Sequence, residues 1–124
     1  MAFLVDTCTF VWLAESDSRL SRKALEALID PDAEIYLSVV SRWELALKQH
    51  RPDFALSDSF EAVMARSTFT SLDLGFTVPR HLAALPWIHK DPFDRILIAQ
   101  AIERDLTLVT SDSAIRRYPV KTLW

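Results

Sequence analysis

Short apolar, β-rich runs alternate with helix-spaced segments along the whole chain. "AFLVDT" opens as a strand, "EIYLSVV" reads as a second, "FTSLDL" as a third, "LTLVTSD" as a fourth, and "VKTLW" closes as a last short one. Between them, "TFVWLAES", "SRKALEALID", "SRWELALKQH", "SDSFEAVMARS" and "VPRHLAAL" have helical periodicity, Leu20, Ala24, Leu25 and Leu28 lining one stripe. A longer helix is predicted from Pro92 to about Asp105, and "SAIRRY" reads as a helical turn. Strands that alternate with helices imply a three-layer α/β/α domain around a mostly parallel sheet. At 124 residues, half of them apolar, residues 1–124 make a single domain with its own core.

A sheet of this class binds ligands beyond the carboxyl ends of its strands. Asp6 follows the first strand and Asp112 the fourth. Two further acids fall in first helical turns: Glu44 in "SRWELALK" and Asp94 in "DPFDR". Each has an ordinary explanation. Asp6 can cap the helix near Thr7, Asp112 can cap "SAIRR", and Glu44 can complete a capping box with Ser41 or pair with Lys48 four residues on. Asp91 before Pro92 fits an N-cap, which puts Asp94 at N3, near the positive end of the helix dipole. What these explanations leave over is the crowding: four acids at converging ends repel, and a hard divalent cation such as Mg²⁺ or Mn²⁺ relieves that repulsion. Such a site suits metal-assisted hydrolysis of a phosphodiester.

Several classes fall away. There is no apolar run of transmembrane length and no signal-peptide pattern at the start. The lone Cys8 excludes an intrachain disulfide and a cysteine-based zinc site, and fits a reducing cytoplasm. Gly75 is the single glycine, so no glycine-rich phosphate loop exists. A net charge of −3 argues against bulk phosphate neutralisation as the mode of binding. His50, His81 and His89 lack zinc-type spacing and are assigned no ligand role.

The chain resembles the PIN-domain family, specifically the VapC-type toxins of toxin–antitoxin pairs. The resemblance rests on "FLVDTCTFVWL", "SVVSRWELALK", "DPFDRILIAQA", and "LTLVTSD" with "YPVKTLW", in that order over essentially the whole chain. It implies that Asp6, Glu44, Asp94 and Asp112 are the metal-binding acids of a Mg²⁺- or Mn²⁺-dependent endoribonuclease, with RNA as substrate. It also implies a cognate antitoxin as partner, a homodimer or toxin–antitoxin hetero-oligomer, and a cytoplasmic location. Asp91, Thr7, Thr110 and Arg95 are the candidate supporting residues, Asp91 chiefly as a positioner of Asp94. One departure is Asp105, where many relatives carry glycine; Asp tolerates the left-handed conformation. Two other readings stand beside this one: a receiver-like signalling domain, which needs an acceptor aspartate after its third strand, and an idle PIN fold that only binds.

Overall fold

The computed structural model describes all of residues 1–124. Five strands, β1 (Ala2–Val5), β2 (Glu34–Ser38), β3 (Thr70–Leu72), β4 (Thr107–Val109) and β5 (Thr122–Leu123), form one sheet of order β3-β2-β1-β4-β5. Every neighbouring pair is parallel, so the sheet is wholly rather than mostly parallel. Six α-helices complete the fold: α1 (Thr7–Ala14), α2 (Arg22–Ile29), α3 (Val39–Lys48), α4 (Phe60–Arg66), α5 (Val78–Ala83) and α6 (Pro92–Arg104).

The pleat sorts each strand's side chains onto two faces. Leu4 and Leu108 pack on one face with Leu97, Ile98 and Ala101 of α6 and with Val78 of α5. Their neighbours Phe3, Val5 and Val109 pack on the other, with Phe10 of α1, Leu28 of α2 and Val63 of α4. Two buried cores, one per face, give the three layers. Strand β1 lies at the centre, and the chain moves outward from it one way through β2 and β3 and the other way through β4 and β5. The chain direction therefore diverges between β1 and β4, which is where such sheets open a crevice at the strands' carboxyl ends.

Helix boundaries differ locally from the sequence reading. Helix α3 begins at Val39, because Ser38 ends β2 and its hydroxyl caps Val40 N–H at 3.1 Å. Ser41 therefore lies inside the helix rather than at its cap, and no capping box with Glu44 forms. Helix α4 is capped by Ser59, while the side chains of its neighbours Ser57 and Asp58 bind Glu15 and Arg66. Helix α6 ends on Asp105, with φ of 53° and ψ of 46°. This left-handed turn is the one that glycine makes most easily and that Asp tolerates.

Candidate metal centre

Four segments supply the crevice. Asp6 leaves β1 and caps α1, its Oδ1 accepting Thr9 N–H at 2.8 Å. The Asp6 N–H itself bonds across to Val109 O of β4, at 3.2 Å. Asp112 follows β4 and takes Ala114 N–H on Oδ1 at 2.8 Å. Asp91 caps α6, its Oδ1 accepting from Phe93 N and Asp94 N. Capping and site membership are thus not alternatives: Asp6 and Asp91 each cap a helix through Oδ1 while lining the crevice.

These ends converge as expected. Asp6, Glu44, Asp91, Asp94 and Asp112 line one cavity of about 230 Å³, together with Thr7, Cys8, Lys48, Phe54 and Ser111. Asp6 and Glu44 are only 6% and 3% exposed. Burial, then the nearby Asp91, Asp6 and Glu44 charges, push the Asp94 carboxyl up to about 7, while His89 pulls the other way. The Asp6 carboxyl is raised by burial and by Asp112, against hydrogen bonds from Thr110 and Thr9 that lower it. Cys8 is pushed up to about 12 by burial and by Asp6, Glu44 and Asp94, which favours the neutral thiol.

His89 sits among the acids, a placement its spacing does not predict. Its Nε2 lies 3.1 Å from Asp94 Oδ2 and 3.0 Å from Asp112 Oδ2, and the three side chains lie close enough together to share one ion. The other ring nitrogen, Nδ1, accepts Asp91 N–H at 3.2 Å. A neutral imidazole that accepts at Nδ1 carries its proton at Nε2. Nε2 of His89 faces both aspartates, within reach of an ion that they would share. His89 lies 23 positions from Asp112 with no ligand spacing, and its one sequence signal is its place two residues ahead of the α6 cap.

Arg95 is placed away from the acids. Its guanidinium donates to Pro86 O at 2.8 Å and to Tyr118 Oη at 3.1 Å, and lies 4.1 Å from the centre of the Trp87 ring. Consecutive helical residues point about 100° apart, so adjacency to Asp94 does not put Arg95 beside it. Its connection to the cavity runs through Tyr118, whose hydroxyl oxygen also accepts His89 N–H at 2.7 Å and Ile88 N–H at 3.2 Å. Thr7 donates to Ser41 Oγ at 2.9 Å rather than to an acid. Thr110, fully buried, accepts Asp112 N–H at 3.1 Å and favours the ionised form of Asp6. Thr110 therefore ties two of the acids together.

Asp73, the acid nearest the end of β3, is exposed at the edge of the sheet. A receiver domain needs its third strand beside the first at the crevice, so this topology removes that reading.

The residues fit a hard divalent ion. Glu44 Oε1 is buried with no hydrogen-bond partner, an unbalanced acceptor in a cavity of carboxylates. A cavity dominated by carboxylate oxygens suits a hard divalent ion.

The PIN-domain family model matches residues 3–121, and the chain belongs to that family. Among solved structures, its fold is similar to VapBC2 from Rickettsia felis, bound to a DNA fragment from its promoter (TM-score 0.72, 16% identity, 99% of this chain and 98% of that one). It is also similar to VapBC-1 from nontypeable Haemophilus influenzae (TM-score 0.66, 13% identity, 99% and 97% covered). A toxin–antitoxin complex from Klebsiella pneumoniae matches with TM-score 0.63 and 22% identity over 98% and 95% of the two chains. No curated protein sequence matches significantly.

Proposed function

We propose that the protein is the toxin of a type II toxin–antitoxin pair and acts as a Mg²⁺- or Mn²⁺-dependent endoribonuclease in the cytoplasm. The observation that carries this reading is the convergence of Asp6, Glu44, Asp94 and Asp112 on one cavity, with a buried Glu44 oxygen left unpartnered. Asp6, Glu44, Asp94 and Asp112 would hold the ion, which when bound supplies Lewis acidity and activates water toward the phosphodiester. Asp91 positions Asp94 through the α6 cap. His89 Nε2 contacts Oδ2 of both Asp94 and Asp112, and Thr110 joins Asp6 to Asp112. Carboxylates gathered to hold an ion favour direct attack by water over a covalent enzyme intermediate.

The antitoxin partner is supported by the solved relatives that are toxin–antitoxin complexes. A separate, largely apolar cleft of about 530 Å³ between α1, α2 and α4, lined by Leu13, Leu28, Ile29, Val63 and Phe69, offers a protein partner surface away from the acids. Trp43 and Leu47, both mostly exposed on α3, support self-association as a homodimer. The test is cleavage of a mixed RNA pool in Mn²⁺, in EDTA, and by an Asp6→Asn protein. Cleavage in Mn²⁺ alone, lost in the other two, is expected. Cleavage by Asp6→Asn at the parent rate sinks the mechanism, and a protein inert under every condition is the idle binding module instead.

A further inference from the structure

Lys48 is a charged side chain inside the acid cavity, only 19% exposed, four residues after Glu44 on α3. Its ammonium lies 2.6 Å from Glu44 Oε2 and 3.9 Å from Asp91 Oδ2. It is also 4.9 Å from the centre of the Phe54 ring and 5.3 Å from that of Phe93, both within cation–π range. Four contacts from three segments fix this ammonium, whereas an ordinary i,i+4 surface pair is held by one partner and contributes little. The two oxygens of Glu44 are consequently unequal. Oε2 is occupied by Lys48, while Oε1 is buried and bonded to nothing.

From this asymmetry we infer that Lys48 is a positioning residue for the metal centre: it clamps Glu44 Oε2 and so reserves Oε1 as a single ligand oxygen. Without the clamp, a glutamate has three side-chain torsions and two equivalent oxygens to distribute, and either chelation by both oxygens or retreat from the cavity becomes available. An ammonium this close to the acids also has the opposite capacity, to compete with the divalent ion for Glu44. The two roles predict opposite signs for the same substitution. The contacts favour the clamp, because leaving Glu44 would forfeit the Phe54 and Phe93 faces and the Asp91 charge together. The inference rests on the proposed metal role of Glu44, and the experiment separates the two.

Mn²⁺ binding to the full chain is measured by titration calorimetry for the parent, Lys48→Met, Lys48→Arg, Glu44→Gln and the double variant Glu44→Gln/Lys48→Met, with far-UV circular dichroism and thermal melting on each. Methionine keeps the apolar stem that packs on Phe54 and Phe93 and removes only the charge. Partners that orient a metal ligand typically carry a factor of about 10–100 in affinity. Lys48→Met should therefore weaken Mn²⁺ binding at least about tenfold. Lys48→Arg should recover most of that loss, and Lys48→Met should cost little further in the Glu44→Gln background, because Lys48 acts through Glu44. Tighter binding by Lys48→Met overturns the clamp in favour of competition, and unchanged binding, or full additivity with Glu44→Gln, also overturns it. If Glu44→Gln binds as the parent does, Glu44 is not a ligand and the metal assignment fails together with this inference. If Glu44→Gln weakens binding and Lys48→Met does not, this inference alone fails.

Discussion

In the absence of a divalent ion, replacing Asp94 by asparagine should stabilise the fold. The Asp94 carboxyl is raised from 3.8 to about 7 by burial and by its acidic neighbours. Because the folded state binds this proton more tightly than the unfolded chain, the associated stability is complete below pH ~4 and is lost as pH climbs through ~7. A gap of roughly three pH units at about 1.4 kcal/mol per unit makes the ionised side chain a cost on the order of 4 kcal/mol at pH 8. Asparagine keeps an oxygen that can accept from His89 Nε2 and removes the charge. In EDTA at pH 8, urea unfolding followed by circular dichroism should therefore place Asp94→Asn about 2–4 kcal/mol above the parent, part of the gain being offset by a weaker bond to His89. At pH 4.5 the two should nearly coincide. Saturating Mn²⁺ should reverse the order at pH 8, because ligand-linked stabilisation then accrues chiefly to the parent. If Asp94→Asn is the less stable protein in EDTA at pH 8, or if the difference does not change with pH, the repulsion inferred among these carboxylates is absent.

Two further outcomes follow from the hydrogen bonds. Asp91→Ala removes the cap of α6 and should be less stable than Asp91→Asn by about 1 kcal/mol in EDTA, both variants having lost the same charge; equal unfolding midpoints would deny the cap. Tyr118→Phe leaves Ile88 N–H, His89 N–H and an Arg95 N–H without their acceptor, and should cost about 2 kcal/mol, read by chemical denaturation. It should also weaken Mn²⁺ binding through loss of His89 placement, with calorimetry as the check.

The fold was legible because the sheet is buried on both faces. Runs such as Phe3-Leu4-Val5 supply side chains to both cores, and they read as strands by composition and length alone. Helix starts were less legible where several hydroxyls compete: Ser38 and Ser41, or Ser57 and Ser59, are equally good caps in isolation, and only the strand's exit decides. The convergence of the acids was readable because parallel topology places Asp6 and Asp112 at the same edge. The histidine beside them was not. His89 is brought in by a loop whose backbone hangs on Tyr118, a contact 29 residues away with no local signature. Arg95 misled for the converse reason, since chain adjacency on a helix is not adjacency in space.

The central position of β1 sets an order of events during synthesis. Asp6 leaves the ribosome well before Asp112, yet its backbone N–H pairs with Val109 and its cavity is completed by Asp112. No fragment ending before β4 can assemble the site, whatever structure its earlier helices adopt. Loop closure over some hundred residues must come first, and such long-range pairing is slow to form. A cavity built this way stays open on one side until β4 and Asp112 have emerged, so its acids come together late in synthesis.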